Sequence, residues 1–237
     1  MEQKTNKDKE FEKEKKRKYS AAEQRRFDRF TKICEELKEQ GYKQVDLTVG
    51  IVRANIFALL LAIPVYVIGY FLFFWRNRFS GIDIDQMPGG MLWFFILYFA
   101  LIFVHEGLHG ITWAMFSENH MKDIEFGFMA AYLTPYCTCT TPLKKGPYIL
   151  GALMPLIVLG ILPTVISIFT GSLLWLNVGL IMIVSAGGDI LIVLEILRYR
   201  TNASEIRYYD HPTQTGGVIF EKQYTLTRKG KLRGLNC

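Results

Sequence analysis

The chain has 237 residues, half of them hydrophobic, and a formal net charge of +6. Its first 53 residues hold 15 Lys/Arg and 11 Asp/Glu, so the apolar residues are concentrated in the rest of the chain. This distribution indicates a membrane protein with charged segments outside the bilayer, and the modest positive charge suits anionic lipid rather than nucleic acid. Four histidines are too few for the His-rich clusters of oxygen-dependent di-iron membrane enzymes, which excludes that class.

The N-terminal segment divides into a charged tail and a helix. Residues 1–18 are a mixed Lys/Glu run with little apolar content, which predicts disorder. Ser20 and Glu23 have the spacing of a capping box, and Gly41 provides a stop. Between them an apolar stripe follows at helical spacing: Phe27, Phe30, Cys34 and Leu37. We predict that residues 19–53 form a cytoplasmic amphipathic helix and linker, which covers the bundle or lies among lipid headgroups.

Four apolar segments are long enough to cross a bilayer. The uncharged stretch over residues 146–188 is 43 residues long, which is too long for one crossing and suits two. Gly171-Ser172 is the natural break within it. The predicted spans are residues 54–75, 89–116, 148–170 and 173–197.

Lys and Arg near the ends of these spans predict their orientation. Nine lie on one side of the bilayer and two, Arg76 and Arg78, on the other. The nine are Lys38, Lys43, Arg53, Lys122, Lys144, Lys145, Arg198, Arg200 and Arg207. Because short cytoplasmic loops are enriched in these residues, we predict a multi-pass cell-membrane protein whose two termini and 117–147 loop are cytoplasmic.

The second span contains the motif His-Glu-x-x-His at residues 105–109. Residues i and i+4 share one face of a helix, so His105 and His109 can present imidazole nitrogens to one zinc ion. Glu106 lies about 100° further round the helix, where it can accept a proton from an attacking water. The alternative is a pair of histidines that only bond neighbouring helices, which leaves three costly groups buried together without a metal.

A catalytic zinc site normally has a third protein ligand, and Asp189 is the best placed. The second and fourth predicted spans run in the same direction, and His105 and Asp189 each lie about 16 residues into their span, so their depths agree. Small residues before Asp189 permit close approach of the helices. Glu195 is the rival, nearer the membrane edge, and His120 and His211 remain further alternatives.

The loop between the second and third spans contains two extended stretches, over residues 124–133 and 136–141. An exposed strand edge near the metal could pair with an unwound substrate, which makes three loop residues candidates for substrate contact: Tyr132, Thr134 and Tyr136. A hairpin that merely closes the bundle fits the pattern equally well. Cys137 and Cys139 are separated by one residue, closer than the gap in common zinc sites.

These motifs resemble the site-2 protease group of intramembrane zinc metalloproteases, which place an HExxH in one membrane helix and an Asp ligand in a later one. The resemblance is closer to a family of small prokaryotic membrane zincin peptidases and covers roughly residues 30–215. It rests on residues 105–110, Phe126-Gly127, Ala131-Tyr132, Met154-Pro155 and Gly188-Asp189. Ile190 departs from the Gly that usually follows the Asp ligand in site-2 proteases.

Together these observations predict an all-α membrane bundle of about four spans, with a short hairpin loop and an N-terminal amphipathic helix. Residues 54–197 form its metalloprotease domain, and residues 198–237 form a cytoplasmic tail. The predicted activity is zinc-dependent hydrolysis of proteins in or at the membrane, near the cytoplasmic face. A metal-binding or transport protein and a non-catalytic scaffold remain as alternatives. The first would need polar residues at several depths, and the second would not need Glu106.

Overall fold

The computed structural model describes residues 20–78, 91–129, 134–226 and 232–234. The predicted charged tail at residues 1–18 and the candidate substrate residue Tyr132 lie outside these ranges.

Helices provide most of the described structure. They are α1 (Ala21–Glu39), α2 (Ile51–Asn77), α3 (Met91–Ala114), α4 (Lys145–Pro155), α5 (Leu162–Thr170), α6 (Leu173–Ser185) and α7 (Gly187–Arg198). A π-helical segment, Leu156–Ile161, joins α4 to α5, and a 3-10 turn lies at His120–Asp123. The strands are β1 (Lys43–Asp46), β2 (Ile124–Met129), β3 (Thr134–Cys139), β4 (Glu205–Asp210), β5 (Gly217–Lys222), β6 (Tyr224–Leu226) and β7 (Leu232–Gly234).

Several helices are long and apolar enough to cross a membrane. Among the described residues these are α2, most of α3 and the continuous helix Lys145–Thr170, and the bent pair α6–α7 qualifies if it counts as one span. Outward-facing side chains such as Leu59, Phe71 and Phe103 are apolar and more than half exposed, as contact with lipid requires. The fold therefore supports a membrane bundle of three or four crossings.

The break predicted at Gly171-Ser172 is present. Gly171 adopts a left-handed φ of 78°, which ends α5, and the Ser172 hydroxyl caps α6 by accepting a hydrogen bond from the backbone of Trp175. The predicted fourth span is divided into two helices, because α6 and α7 meet at Ala186 with a bend of 47°. The glycine pair that opens α7 has low helix propensity, and a Cβ at Gly187 would meet Ala58 of α2 at 2.7 Å.

A small antiparallel sheet joins residues 43–46 to residues 205–222. β5 lies in the centre, paired on one side with β1 and on the other with β4. The prediction of an all-helical fold is therefore incomplete. Short strands that are distant in sequence leave little local signal, since their pairing depends on packing rather than on propensity.

The N-terminal helix packs on this sheet. α1 begins at the predicted capping box, in which Ser20 and Glu23 exchange backbone and side-chain hydrogen bonds. Its apolar stripe, centred on the buried Phe30, contacts Tyr209, Val218 and Phe220. The stripe is thus covered by the β4–β5 pair, which lies at the same end of the bundle as the β2–β3 hairpin.

Candidate metal centre

Two histidines of α3 face the same point inside the bundle. His105 and His109 are 8% and 4% exposed, and their ring centroids lie 4.8 Å apart. This is the geometry that the i, i+4 spacing predicts for one face of a helix. Imidazoles buried this deeply need a polar partner, and Asp189 provides it.

Asp189 lies in the first turn of α7, immediately after the bend. Its two carboxylate oxygens lie 3.2 Å from His105 Nε2 and 3.6 Å from His109 Nε2. One donor atom from each of the three side chains lies within 4.8 Å of the others, the only such group of three His, Cys, Asp or Glu in the described ranges. Two imidazole nitrogens and one carboxylate oxygen are a donor set that catalytic zinc uses. These three residues therefore fit the metal.

The orientation of His109 is fixed from its far side. Its Nδ1 donates to the carbonyl oxygen of Gly151 in α4 at 2.8 Å. Because a carbonyl can only accept, Nδ1 carries the proton and Nε2 keeps its lone pair for a metal. The ring also stacks on Trp113 at a centroid distance of 5.2 Å, and the Trp113 indole donates to the carbonyl of Tyr148.

Glu106 lies beside this cluster and is half-buried. Its carboxylate lies near the backbone N–H of Cys137 in β3. It lines the same cleft as His109 and Asp189, so water and a peptide could reach it. This arrangement places a carboxylate next to the potential metal site without making it one of the three clustered ligands.

The predicted extended stretches, residues 124–133 and 136–141, correspond to the β2–β3 hairpin, whose strands cover residues 124–129 and 134–139. It sits directly on α3, since a Cβ at Gly110 would come within 3.0 Å of Ile124, Phe126 and Cys137. Thr134 and Tyr136 both line the cleft. The two cysteines of β3 are buried in the apolar core, and burial raises the pKa of both thiols.

The cleft has a volume of about 1020 Å³ and opens on the side of the sheet and α1. Its walls come from α1, from β3 and from the turn between β4 and β5, and its floor includes Glu106, His109 and Asp189. Two of these walls belong to segments that the sequence analysis assigned to a linker helix and a tail.

Asp210 of β4 is a further acidic residue in the cleft that the sequence analysis missed. The hydroxyls of Tyr148 and Thr138 donate to its two oxygens at 2.6 Å and 2.8 Å. Burial raises the pKa of the Asp210 carboxyl above its ordinary value. Through these two hydrogen bonds Asp210 connects β4 with β3 and α4 at the site. In the sequence, Asp210 is marked only by its position after two tyrosines, which does not indicate a role in the site.

The rival ligands lie elsewhere and have other partners. Glu195 forms an ion pair with Arg53 at 2.6 Å. His120 donates through Nδ1 to the carbonyl of Ala114. His211 caps a turn, accepting backbone hydrogen bonds through its Nδ1. None of the three joins His105 and His109.

The fold and the donor set define a helical protein with a metallopeptidase-type site. Residues 98–204 match a family model whose description is "Putative zincin peptidase". This segment contains both histidines, Glu106 and Asp189, so the matched region includes the whole candidate metal centre. No curated protein and no solved structure matches the chain significantly.

Proposed function

We propose that this protein is a membrane-embedded zinc metalloprotease of the site-2-protease type, cleaving membrane or membrane-associated proteins near the cytoplasmic face. One observation carries the proposal. The donor atoms of His105, His109 and Asp189 lie within 4.8 Å of one another, with Glu106 beside them in an open cleft.

His105, His109 and Asp189 would hold the zinc ion. When bound there, zinc acts as a Lewis acid that acidifies water and polarises a carbonyl. Glu106 accepts the proton of the attacking water and then returns it to the leaving amine. The Glu106 carboxylate lies near the backbone of Cys137, and both residues line the cleft.

The substrate would enter through the cleft and lie against β3. Thr134 and Tyr136 line this route and are the proposed contact residues. Apolar α2 and α3 surround the site with lipid-facing side chains, so a substrate held in or at the bilayer can reach it. The excess of Lys and Arg at the span ends favours the cytoplasmic side for the cleft.

The central experiment combines metal analysis with proteolysis. Full-length protein, purified in detergent, should contain about one zinc per chain, and His105→Ala should lose it. Glu106→Gln should retain zinc and lose cleavage of a membrane-protein library reconstituted with it, because Glu106 is assigned as base and not as ligand.

Two results would contradict this function. Purified wild-type protein that contains no zinc would contradict the zinc-dependent mechanism. Zinc retained by wild-type protein that cleaves nothing would favour a metal-binding or transport role. Equal zinc loss in Glu106→Gln and His109→Ala would instead show that Glu106 is a ligand.

A further inference from the structure

Arg26 is a buried cation in the wall of the candidate active-site cleft. It lies on α1, is 7% exposed and lines the same cleft as Glu106 and His109. Its Nε is the only buried side-chain nitrogen or oxygen without a hydrogen-bond partner in the part of the chain that the structure describes. A buried guanidinium without a counter-charge is costly, so its retention here needs a reason.

Glu23 and Glu125 lie near the Tyr136 ring that contacts Arg26, but both form hydrogen bonds or ion pairs with other residues. The Glu23 carboxylate accepts from the backbone of Ser20 in the capping box. Asp28 accepts from Gln24. Glu125 pairs with Arg29, the other arginine of this wall. No ion pair joins Arg26 to an acid within the described ranges.

An aromatic ring holds the guanidinium in place. The Cζ atom of Arg26 lies 4.0 Å from the centroid of the Tyr136 ring, which is a cation–π distance. Tyr136 in turn packs over Gly127, its partner across the hairpin, where any Cβ would overlap the ring. The stack of Gly127, Tyr136 and Arg26 positions the side chain without neutralising its charge.

The position of Arg26 relative to Glu106 follows from β3. Arg26 contacts the ring of Tyr136, and the Glu106 carboxylate lies near the backbone of Cys137, the next residue. The side chains of Arg26 and Glu106 therefore lie near neighbouring residues of the same strand. An extended peptide lying along the cleft could therefore bring a group near the scissile bond to Arg26, since each residue of extended chain spans about 3.3 Å.

We propose that Arg26 is a receptor for a carboxylate of the substrate, so that the protease selects peptides with an acidic side chain or a free C-terminal carboxylate close to the cleaved bond. The proposal rests on the proposed proteolytic function for its biological meaning. A carboxylate fits because it accepts charge-assisted hydrogen bonds from a guanidinium. A ligand that spans both Arg26 and Glu106 is a substrate rather than a lipid headgroup, since one continuous cleft contains both residues.

Binding can be tested without hydrolysis. The protein is full-length Glu106→Gln loaded with zinc, and the probes are fluorescein-labelled peptides of Ala, Leu and Ser. One probe pair differs only by Asp or Asn, scanned through the peptide, and a second pair differs only by a C-terminal carboxylate or amide. The acidic member of at least one pair should bind about 10- to 100-fold more tightly, and Arg26→Gln should abolish that difference. The probe pair that shows this difference in affinity identifies whether Arg26 binds an acidic side chain or a C-terminal carboxylate.

Two variants control for charge and for structure. Arg25→Gln makes the same charge change at the adjacent, exposed position of α1 and should leave the discrimination intact. Arg26→Lys keeps the charge and should retain part of the preference for the acidic peptide. Equal losses for acidic and neutral peptides in Arg26→Gln, or no discrimination in the parent protein, would overturn the proposal and leave Arg26 as a packing residue. Arg26-dependent binding only to vesicles containing phosphatidylserine would overturn it in favour of a lipid site.

The same assay separates the two proposals. If the protein binds acidic peptides more tightly than neutral ones but the wild-type form cleaves nothing, the carboxylate site is supported and the protease function is contradicted. Cleavage of acidic and neutral peptides at equal rates, with equal binding, would retain the protease and remove the role of Arg26.

Discussion

The Nδ1 nitrogen of His109 in α3 donates a hydrogen bond to the carbonyl oxygen of Gly151 in α4, across 2.8 Å. This contact ties one proposed zinc ligand to a helix that supplies no ligand itself. Gly151 has a second role, because the Trp113 indole that stacks on His109 occupies the space where a Cβ would lie. The orientation of the ligand thus depends on the absence of a side chain at Gly151.

Gly151→Ala should therefore weaken zinc binding. The added methyl group would displace Trp113 and with it the His109 ring, and loss of such supporting contacts typically lowers metal affinity about 10- to 100-fold. Competition with a zinc-binding dye measures the change. Gly146→Ala is the matched control in the same helix, since a Cβ there meets nothing within 4 Å. Equal affinity in both variants would show that α4 does not orient the ligand.

Asp189→Asn should weaken zinc binding and proteolysis together. An amide oxygen is a poorer ligand than a carboxylate, and the two histidines would lose their shared acidic partner. Glu195→Gln changes an acid in the same helix that pairs with Arg53, and it should leave most of both properties intact. A structure of the zinc-loaded protein should place an Asp189 oxygen about 2.0–2.2 Å from the metal. Similar zinc affinities in the two variants would contradict the assignment.

Asp210 should make the stability of the wild-type protein depend on pH. Burial raises the pKa of this carboxyl in the folded protein, so the folded state binds its proton more tightly than the unfolded state does. The resulting stabilisation is complete below the ordinary carboxyl pKa and is lost as the pH rises through the higher folded pKa. Asp210→Asn removes this dependence. Relative to wild type, its thermal unfolding midpoint should rise as the pH increases above the ordinary carboxyl pKa of about 4.

Asp210→Ala provides the contrast. It would leave the hydroxyls of Tyr148 and Thr138 without their acceptor, at a cost of about 1–3 kcal/mol each. The alanine variant should therefore unfold at lower temperature than the asparagine variant at every pH. If the unfolding midpoints of wild type and Asp210→Asn change with pH in parallel, the pKa of Asp210 is the same in the folded and unfolded states.

The membrane topology follows from the charge distribution. A reporter fused after Cys237 should report the cytoplasm, and one inserted in the 76–90 loop should report the exterior, because nine Lys/Arg lie on the first side and two on the second. Paired phosphatase and fluorescent-protein fusions provide the measurement. Because α1 packs on the sheet that contains β4 and β5, a C-terminus outside the cell would place the cleft and Arg26 on the exterior and would invert the predicted orientation.

Much of the proposed centre could be predicted from local patterns. The HExxH spacing places His105 and His109 on one helical face, since it depends only on helix geometry. The matching depths of His105 and Asp189 favoured Asp189 over Glu195, and Asp189 lies next to the two histidines even though α6 and α7 are bent relative to each other. The bend at Ala186 lies before Asp189 and leaves it in the first turn of α7, where a carboxylate is favoured by the helix dipole.

Other parts of the site left no readable local signal. Gly151 acts through a backbone carbonyl and a missing Cβ, neither of which its residue type specifies. Arg26 resembles any charge on an amphipathic helix until its burial against Tyr136 is known. Asp210 lies in a segment that reads as a polar tail, and its role depends on contacts with β3 and α4.

The sequence by itself determined the apolar helices, the capping box at Ser20 and the chemistry of the HExxH motif, because each depends on residues a few positions apart. The tertiary structure alone decided that β1 pairs with β5, that α1 forms a wall of the cleft, and that α4 orients His109. Those contacts join residues far apart in the chain. Their formation depends on which surfaces can be buried together when the helices pack, and a one-dimensional pattern does not specify that.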